Sequence, residues 1–222
     1  MNFKNLNSRL KSVKVGISTL ALALLTLTAS AQQEEHKNPN VRMGQKALLD
    51  GDFKSAVTHL KKALPAEAND PHVLYLLGYS QFQSADFKES AKTFGQVIAL
   101  DAKNANAYYY RAKAKNIQAV DKDSKLTIAE KEQLLTSAIE DYSKAININN
   151  KDVKLYQNRA IAYRDLGILK GTEGAEGYNK QVATDAYTKA VADFEKVLSF
   201  DASRKDIQTE LKKAKVYRDL LK

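Results

Sequence analysis

Apolar and small residues between positions 71 and 98 recur at the spacing of two amphipathic helices. The first set falls on one helix face at i, i+3, i+4 and i+8: Leu74, Leu77, Gly78 and Phe82. A short break at 84–86 follows. The second set again shares one helix face: Phe87, Ser90, Ala91, Phe94, Val97 and Ile98. The pattern predicts a helix–turn–helix unit.

The same unit recurs along the chain at a stride of 34 residues. The small residues Gly44, Gly78 and Ala112 are each 34 positions apart. The stride continues from Ala112 to Ala160 if the third unit carries an insertion of 14 residues, and from Tyr142 to Phe194 if the fourth carries an insertion of 18. The large residues that follow keep this register: Leu60, Phe94, Tyr142 and Phe194. Recurrence at a fixed period predicts a stacked array of helix pairs, in which a small residue lets two helices approach closely.

The two insertions fall between the helices of their own units. They span about 116–130 and 168–185. We expect them to emerge as loops along one edge of the array, where they offer a second contact surface. Within the first, the segment 127–130 (Thr-Ile-Ala-Glu) predicts a capping box that opens the next helix.

The repeating unit resembles the tetratricopeptide repeat, a helix–turn–helix unit of 34 residues. The segments that carry the resemblance are 43–64, 77–101, 107–115 with 137–150, and 155–167 with 190–201. It implies an all-α fold, a right-handed α-solenoid of about four helix pairs plus a C-terminal capping helix. The resemblance leads us to expect a tetratricopeptide domain at 39–222. Its units are expected at 37–70, 71–104, 105–152 and 153–203, with the capping helix at 204–222.

The capping helix is expected to cover the last unit with an apolar stripe and to present charged residues outward. The stripe comprises Leu211, Ala214, Val216, Tyr217, Leu220 and Leu221.

Composition agrees with an all-α chain. The 222 residues include three Pro, nine Gly and no Cys. Too few turn-forming residues are present for a β-sandwich or barrel. The lack of Cys excludes disulfides, thiolate metal sites and a Cys nucleophile.

The N-terminal segment has the three parts of a secretory signal peptide. A basic start is followed by a short apolar run and by the small residues of 29–31 (Ala-Ser-Ala). A membrane anchor needs about 20 apolar residues, and roughly 13 are present. We expect a signal peptide at 1–31, cleaved after Ala31, and a linker at 32–38. The protein is then exported, periplasmic or secreted, and its net charge falls from +9 to +5 because the segment carries four basic residues and no acid.

No candidate enzymatic site emerges. The run from Asp121 to Glu132 has acids at positions 1, 3 and 12 of a calcium loop, but Lys125 and Leu126 stand where a ligand and a Gly are needed. The glycine-rich stretch 170–177 lacks the phosphate-loop motif and contains two glutamates, so we expect a flexible loop. None of His36, His59 and His72 has a His, Asp or Glu at metal spacing on one helix face. We therefore expect a non-enzymatic protein with no cofactor, no metal and no nucleic acid partner.

The resemblance implies that the first helix of each unit lines a concave groove. The residues carried onto groove positions are Tyr75, Tyr79, Phe82, Tyr109, Tyr110, Lys113, Asn116, Asn158 and Arg164. Tyr109 and Tyr110 are expected to point outward. Tyrosines with neighbouring polar and basic groups are typical of peptide-binding surfaces, because rigid rings anchor a ligand and polar groups orient it.

Two functions follow from this surface. The first is a scaffold that binds a peptide segment or helix of a cell-envelope protein in the groove. The alternative is an accessory that binds cell-wall glycan or another polyanion through basic and aromatic residues. Salt discriminates between them, since polyanion binding weakens steeply as salt rises. No stable membrane insertion is expected after signal cleavage, and the oligomeric state stays open.

Overall fold

The computed structural model describes residues 36–221. The signal peptide expected at 1–31 lies outside these residues. The described part folds into nine α-helices and no strand: α1 (Pro39–Leu49), α2 (Phe53–Glu67), α3 (Pro71–Gln83), α4 (Phe87–Leu100), α5 (Ala105–Val120), α6 (Ile128–Ile148), α7 (Val153–Gly171), α8 (Lys180–Phe200) and α9 (Lys205–Leu220). None of these helices combines the length and the apolar character that crossing a bilayer requires.

The helices pack in consecutive pairs, which confirms the predicted α-solenoid. Each helix contacts the next one along the chain, from α1 to α9. The first helices of successive pairs also contact one another, α1 with α3, α3 with α5 and α5 with α7, whereas the second helices make no contact of similar extent. The array therefore curves toward α1, α3, α5 and α7, and these helices line its concave face.

The recurring small residues lie where the sequence places them, between the paired helices. A Cβ atom on Gly44 would lie 2.6 Å from Leu60 Cγ, and one on Gly78 would lie 3.1 Å from Phe94 Cε2. Ala112 is completely buried, as is the equivalent alanine of the fourth pair. The small residue of each unit thus faces its large partner because only a small side chain leaves room for it.

The turns inside the first two pairs each contain one left-handed residue at the same repeat position. Gly51 has φ +74° and Ala85 has φ +64°. A glycine adopts this conformation freely, whereas a Cβ atom clashes with the following carbonyl group. The second turn therefore keeps the geometry of the first at a cost in strain.

We expect Ala85→Gly to raise the free energy of unfolding by about 1 kcal/mol, because it removes this strain. The reciprocal Gly51→Ala change should lower the free energy of unfolding by a similar amount, because alanine is strained at this positive φ. No neighbouring atom lies within 4 Å of the added Cβ, so no steric clash adds to this effect. Urea unfolding followed by circular dichroism measures both. Equal stability of the two variants would contradict the assignment.

The insertions lengthen helices and add only short loops, which corrects the expectation of two long loops. Compared with α3 and α4, α5 is three residues longer and α6 seven residues longer. Likewise α7 is six residues longer and α8 seven. The added turns bury apolar side chains in one cluster that joins the third and fourth pairs: Ala119, Leu134, Leu135, Leu166, Leu169 and Val182. This burial favours continued helix over loop.

The two extensions also pack against each other. Lys170 Nζ lies 2.8 Å from Glu132 Oε2, and a Cβ atom on Gly177 would lie 2.6 Å from Ile128 Cγ2. The start of α6 carries the predicted capping box, with Thr127 N donating to Glu130 Oε2 over 2.8 Å. The segment 172–179 is therefore held against α6.

The last helix, α9, closes the array with a narrower apolar stripe than the sequence predicts. Ile207 and Ala214 are buried against the fourth pair. Val216, Tyr217 and Leu220 were expected in the stripe, but they are 49%, 45% and 76% exposed. Ile207, which was not in the predicted stripe, makes the contact with the fourth pair, and the partly exposed Tyr217 ring still stacks on Tyr187 at 5.7 Å between centroids.

Candidate functional site on the concave face

Six aromatic rings meet where α3, α4 and α5 come together, with Tyr110 at the centre. The Tyr110 ring stacks on Phe94 at 5.4 Å between centroids. It meets Tyr79 and Phe82 edge-on, each at 5.4 Å. We call this set, together with Tyr75 and Tyr109, the tyrosine cluster. Edge-to-face and offset contacts of this kind hold aromatic rings rigidly.

The exposure of these rings corrects part of the sequence interpretation. Tyr79 and Phe82 were assigned to the groove surface, but they are only 8% and 9% exposed. Tyr109 and Tyr110 were expected to point outward, but both are half-buried and pack on each other at 5.0 Å. The repeat pattern predicts which helix face a residue occupies. It does not predict how far that residue is buried by aromatic side chains that fill the space between units.

Three hydroxyl groups of the cluster nevertheless form no hydrogen bond within the described residues. Tyr75, Tyr109 and Tyr110 have no hydrogen-bond partner among the described residues, and none of their hydroxyl oxygens is buried. Tyr79 differs, since its hydroxyl oxygen accepts from Gln83 Nε2 at 2.5 Å. Three tyrosines therefore combine packed rings with hydroxyl groups whose hydrogen-bonding capacity the chain does not use.

Burial of these rings disfavours their ionised form. It raises the pKa of Tyr109 to about 12, with the negative charge of Asp152 adding to the shift. The pKa values of Tyr75 and Tyr110 rise further, first from burial and then from neighbouring tyrosines. All three remain hydrogen-bond donors at neutral pH.

Lys113 lies at the edge of the cluster. Its ammonium nitrogen is 5.4 Å from the centroid of the Phe82 ring and 5.8 Å from that of Tyr109. Burial lowers the pKa of the Lys113 ammonium group, and the positive charge of Lys154 lowers it further. Attraction to the two aromatic faces offsets part of this desolvation.

Ion pairs join the first and second helices of the third and fourth units at equivalent positions. In the third, Arg111 Nε donates to Asp141 Oδ2 at 2.9 Å, and Lys115 Nζ lies 2.8 Å from the same oxygen. In the fourth, Arg159 Nε donates to Asp193 Oδ2 at 2.7 Å. Both carboxylates are buried. The sequence interpretation missed these pairs, although their recurrence in register was a usable signal.

Two residues assigned to ligand binding instead connect units. Asn116 is 7% exposed, and its Nδ2 donates to Asp165 Oδ2 at 3.0 Å. Arg164 donates to Asp165 Oδ1 at 2.7 Å and to Glu210 Oε2 at 2.6 Å, which ties α7 to α9. The chain itself engages the polar groups of Asn116 and Arg164, and their contact with a partner stays a prediction.

The remaining predicted residue, Asn158, is half-buried on α7, where its Nδ2 donates to Lys154 O at 2.8 Å. Lys154 is exposed one helical turn earlier. The sequence interpretation overlooked Lys154, although the i, i+4 spacing from Asn158 indicates a shared helix face.

One group of metal-ligand side chains comes together within residues 36–221, formed by His36, Glu67 and Asp70. His36 Nδ1 accepts from Asn38 N at 3.1 Å, and Asn38 Nδ2 donates to Glu67 Oε1 at 3.2 Å. The neutral ring therefore carries its proton on Nε2, the nitrogen 3.7 Å from Asp70 Oδ2. The three side chains are thus connected through Asn38 and the His36–Asp70 contact.

Comparison with known proteins identifies the repeat. Residues 47–115 match the tetratricopeptide repeat family. No curated protein matches the chain significantly in sequence. The crystal structure of a MamA protein is similar with a TM-score of 0.61 and 20% identity, over 82% of this chain and 84% of that one. The MamA 41-end structure from Desulfovibrio magneticus RS-1 is similar with a TM-score of 0.55 and 20% identity, over 78% and 79% of the two chains.

These similarities extend the same fold well beyond the matched residues. The family match ends within α5. The helix pairs continue in register to α8, with Ala160 facing Phe194 in one buried cluster. Residues 47–115 therefore match the tetratricopeptide repeat family, and the helix pairs that follow continue the same fold.

Proposed function

We propose that this protein is an exported, non-catalytic scaffold that binds an extended segment or a helix of another cell-envelope protein on its concave face. The tetratricopeptide fold suggests a protein–protein interaction scaffold. The observation that carries the proposal is the tyrosine cluster, in which packed rings present unpaired hydroxyl groups. Rings that are already ordered lose little entropy when a ligand binds, so their contact area contributes efficiently to affinity.

The charge arrangement favours a protein segment over a polyanion. Helices α5 and α7 carry seven basic side chains, and five of them pair with carboxylates of the chain: Arg111, Lys115, Arg159, Arg164 and Lys170. Groups already neutralised add little attraction for a glycan or another polyanion. Binding through the groove should therefore depend on apolar contact and hydrogen bonds.

The first test replaces the free hydroxyl groups and keeps the rings. We expect the triple variant Tyr75→Phe, Tyr109→Phe, Tyr110→Phe to weaken binding of a partner by at least tenfold, since each lost hydrogen bond contributes about 0.5–1.5 kcal/mol. Partners are captured from the cell envelope, purified and measured by calorimetry. The control is the pair Tyr178→Phe and Tyr217→Phe, two exposed tyrosines elsewhere on the protein.

Equal affinity of both variants for every captured partner would contradict the proposal. Binding that disappears between low and moderate salt, with no effect of the triple variant, would support the polyanion alternative.

A second experiment tests export. We expect the mature protein in the envelope or periplasmic fraction, with Gln32 as its first residue, because the basic start, apolar run and small residues form a signal peptide. N-terminal sequencing of the fractionated protein measures this. Recovery of uncleaved chain from the cytosol would contradict the localisation and leave the binding proposal standing.

A further inference from the structure

We propose that Lys113 and Lys154 form an anion site on the concave face that binds the carboxylate of an aspartate or glutamate side chain in the partner segment. This inference rests on the proposed function and specifies the chemistry of its ligand. It predicts a segment in which an acidic residue neighbours an apolar one.

The two lysines differ from the other basic residues of their helices. The remaining five on α5 and α7 each pair with a carboxylate within 4 Å. Neither Lys113 nor Lys154 has such a partner among residues 36–221. Half-buried charges are normally paired, so the unpaired Lys113 is the exception on this face.

The environment of Lys113 makes an unpaired positive charge on its side chain unfavourable in free energy. Tyr109, whose ring Lys113 contacts, shares an apolar cluster with Leu155, so the start of α7 lies beside Lys113. Burial and the like charge of Lys154 both lower the pKa of Lys113. The rings of Phe82 and Tyr109 hold the ammonium group in place without neutralising it. A carboxylate placed between the two lysines removes their repulsion and gains attraction in a partly desolvated site, where charges interact more strongly than in water.

The neighbouring acid limits how much negative charge the site accepts. Asp152 precedes α7, and its Oδ1 accepts from the Lys154 backbone nitrogen at 3.0 Å, so that the carboxylate caps the helix. The negative charge of Asp152 also raises the pKa of Tyr109, after the larger effect of burial. Two ammonium groups beside one carboxylate leave about one net positive charge, which matches a single carboxylate better than a doubly charged group or a polyanion.

The adjoining surface indicates what flanks the acidic residue. Lys113 shares the ring of Tyr109 with the tyrosine cluster, so the anion site and the free tyrosine hydroxyl groups are continuous. An apolar side chain beside the carboxylate can then lie on the exposed parts of the rings, while hydroxyl groups bind the ligand backbone.

Peptide display on the purified chain tests the inference. Random peptides are selected on the wild type and on the double variant Lys113→Met, Lys154→Met. We expect wild-type peptides to be enriched in Asp or Glu beside an apolar residue and to bind the double variant at least tenfold more weakly. Replacing the acidic residue by its amide should weaken wild-type binding equally and have no further effect on the variant.

The matched control is Lys189→Met, Lys196→Met. These lysines also lie over aromatic rings, 5.7 Å from Tyr163 and 5.1 Å from Phe200, but they belong to α8, a second helix. We expect this variant to bind the selected peptides as the wild type does. Thermal unfolding of both variants shows whether the fold is retained.

The outcomes separate the two proposals. Selected peptides without acidic enrichment, or acidic peptides that bind the double variant unchanged, overturn the anion site. If such peptides still lose affinity for the triple Tyr→Phe variant, the binding groove stands. If no selected peptide responds to that variant, the proposed function itself fails.

Discussion

Replacing Phe94 by alanine should lower the free energy of unfolding by about 3–5 kcal/mol, because it opens a cavity in the core of the solenoid. Phe94 is completely buried. It faces Gly78 across the second pair and supports Tyr110 through a stacked contact. The change removes contacts within one unit and between two units.

The measurement is urea unfolding followed by circular dichroism. The matched control is Phe200→Ala, the same substitution at a residue that is 46% exposed on a second helix. We expect Phe200→Ala to lower the free energy of unfolding by about 1 kcal/mol or less, since the Phe200 side chain buries less apolar area on folding. Similar losses for the two variants would mean that Phe94 does not fill the space between units.

The second large effect concerns the buried ion pair of the fourth unit. We expect Asp193→Ala to lower the free energy of unfolding by about 3 kcal/mol, because it leaves the Arg159 guanidinium group half-buried without its carboxylate. The Asp193 side chain is 8% exposed and that of Arg159 is 20% exposed. The Asp193 hydrogen bonds are also the first cause of the raised pKa of Arg159, ahead of the opposing effect of burial.

A surface pair of the same type provides the control. Arg204 Nε donates to Asp206 Oδ1 at 2.9 Å, but the Asp206 side chain is 60% exposed. Asp206→Ala should therefore change stability by about 1 kcal/mol or less. The double variant Arg159→Met, Asp193→Leu should recover most of the loss, as the unpaired charge is gone. If the double variant is less stable than Asp193→Ala, the ion pair itself stabilises the fold. The loss in Asp193→Ala would then not come only from an unpaired charge.

The third and fourth units, whose insertions pack against each other, are stabilised by different contacts from the first two units. Their helices share one apolar cluster and two sets of buried ion pairs, whereas the first two units rely on Leu60 and Phe94 against glycines. The concave residues that carry the proposed function lie at the junction of these two halves. The tyrosine cluster joins the second and third units, and Lys154 lies in the first turn of the fourth.

The sequence by itself determined the repeat, the helix class and the register. A small residue and its large partner must recur together, because each helix pair buries the same face against its neighbours. Local chemistry also determined the capping box at Thr127, which needs only residues three positions apart.

Only the tertiary structure decided which groove residues are available and what the insertions form. Tyr110 is held by rings from two other helices, and Asn116 is used by an aspartate 49 residues away, so no local pattern reports their burial. The inserted residues are helical because they bury apolar side chains against a neighbouring unit. Lys113 and Lys154 stand out only when the other five basic residues of α5 and α7 are seen to be paired with carboxylates, since pairing depends on distance in space and not along the chain.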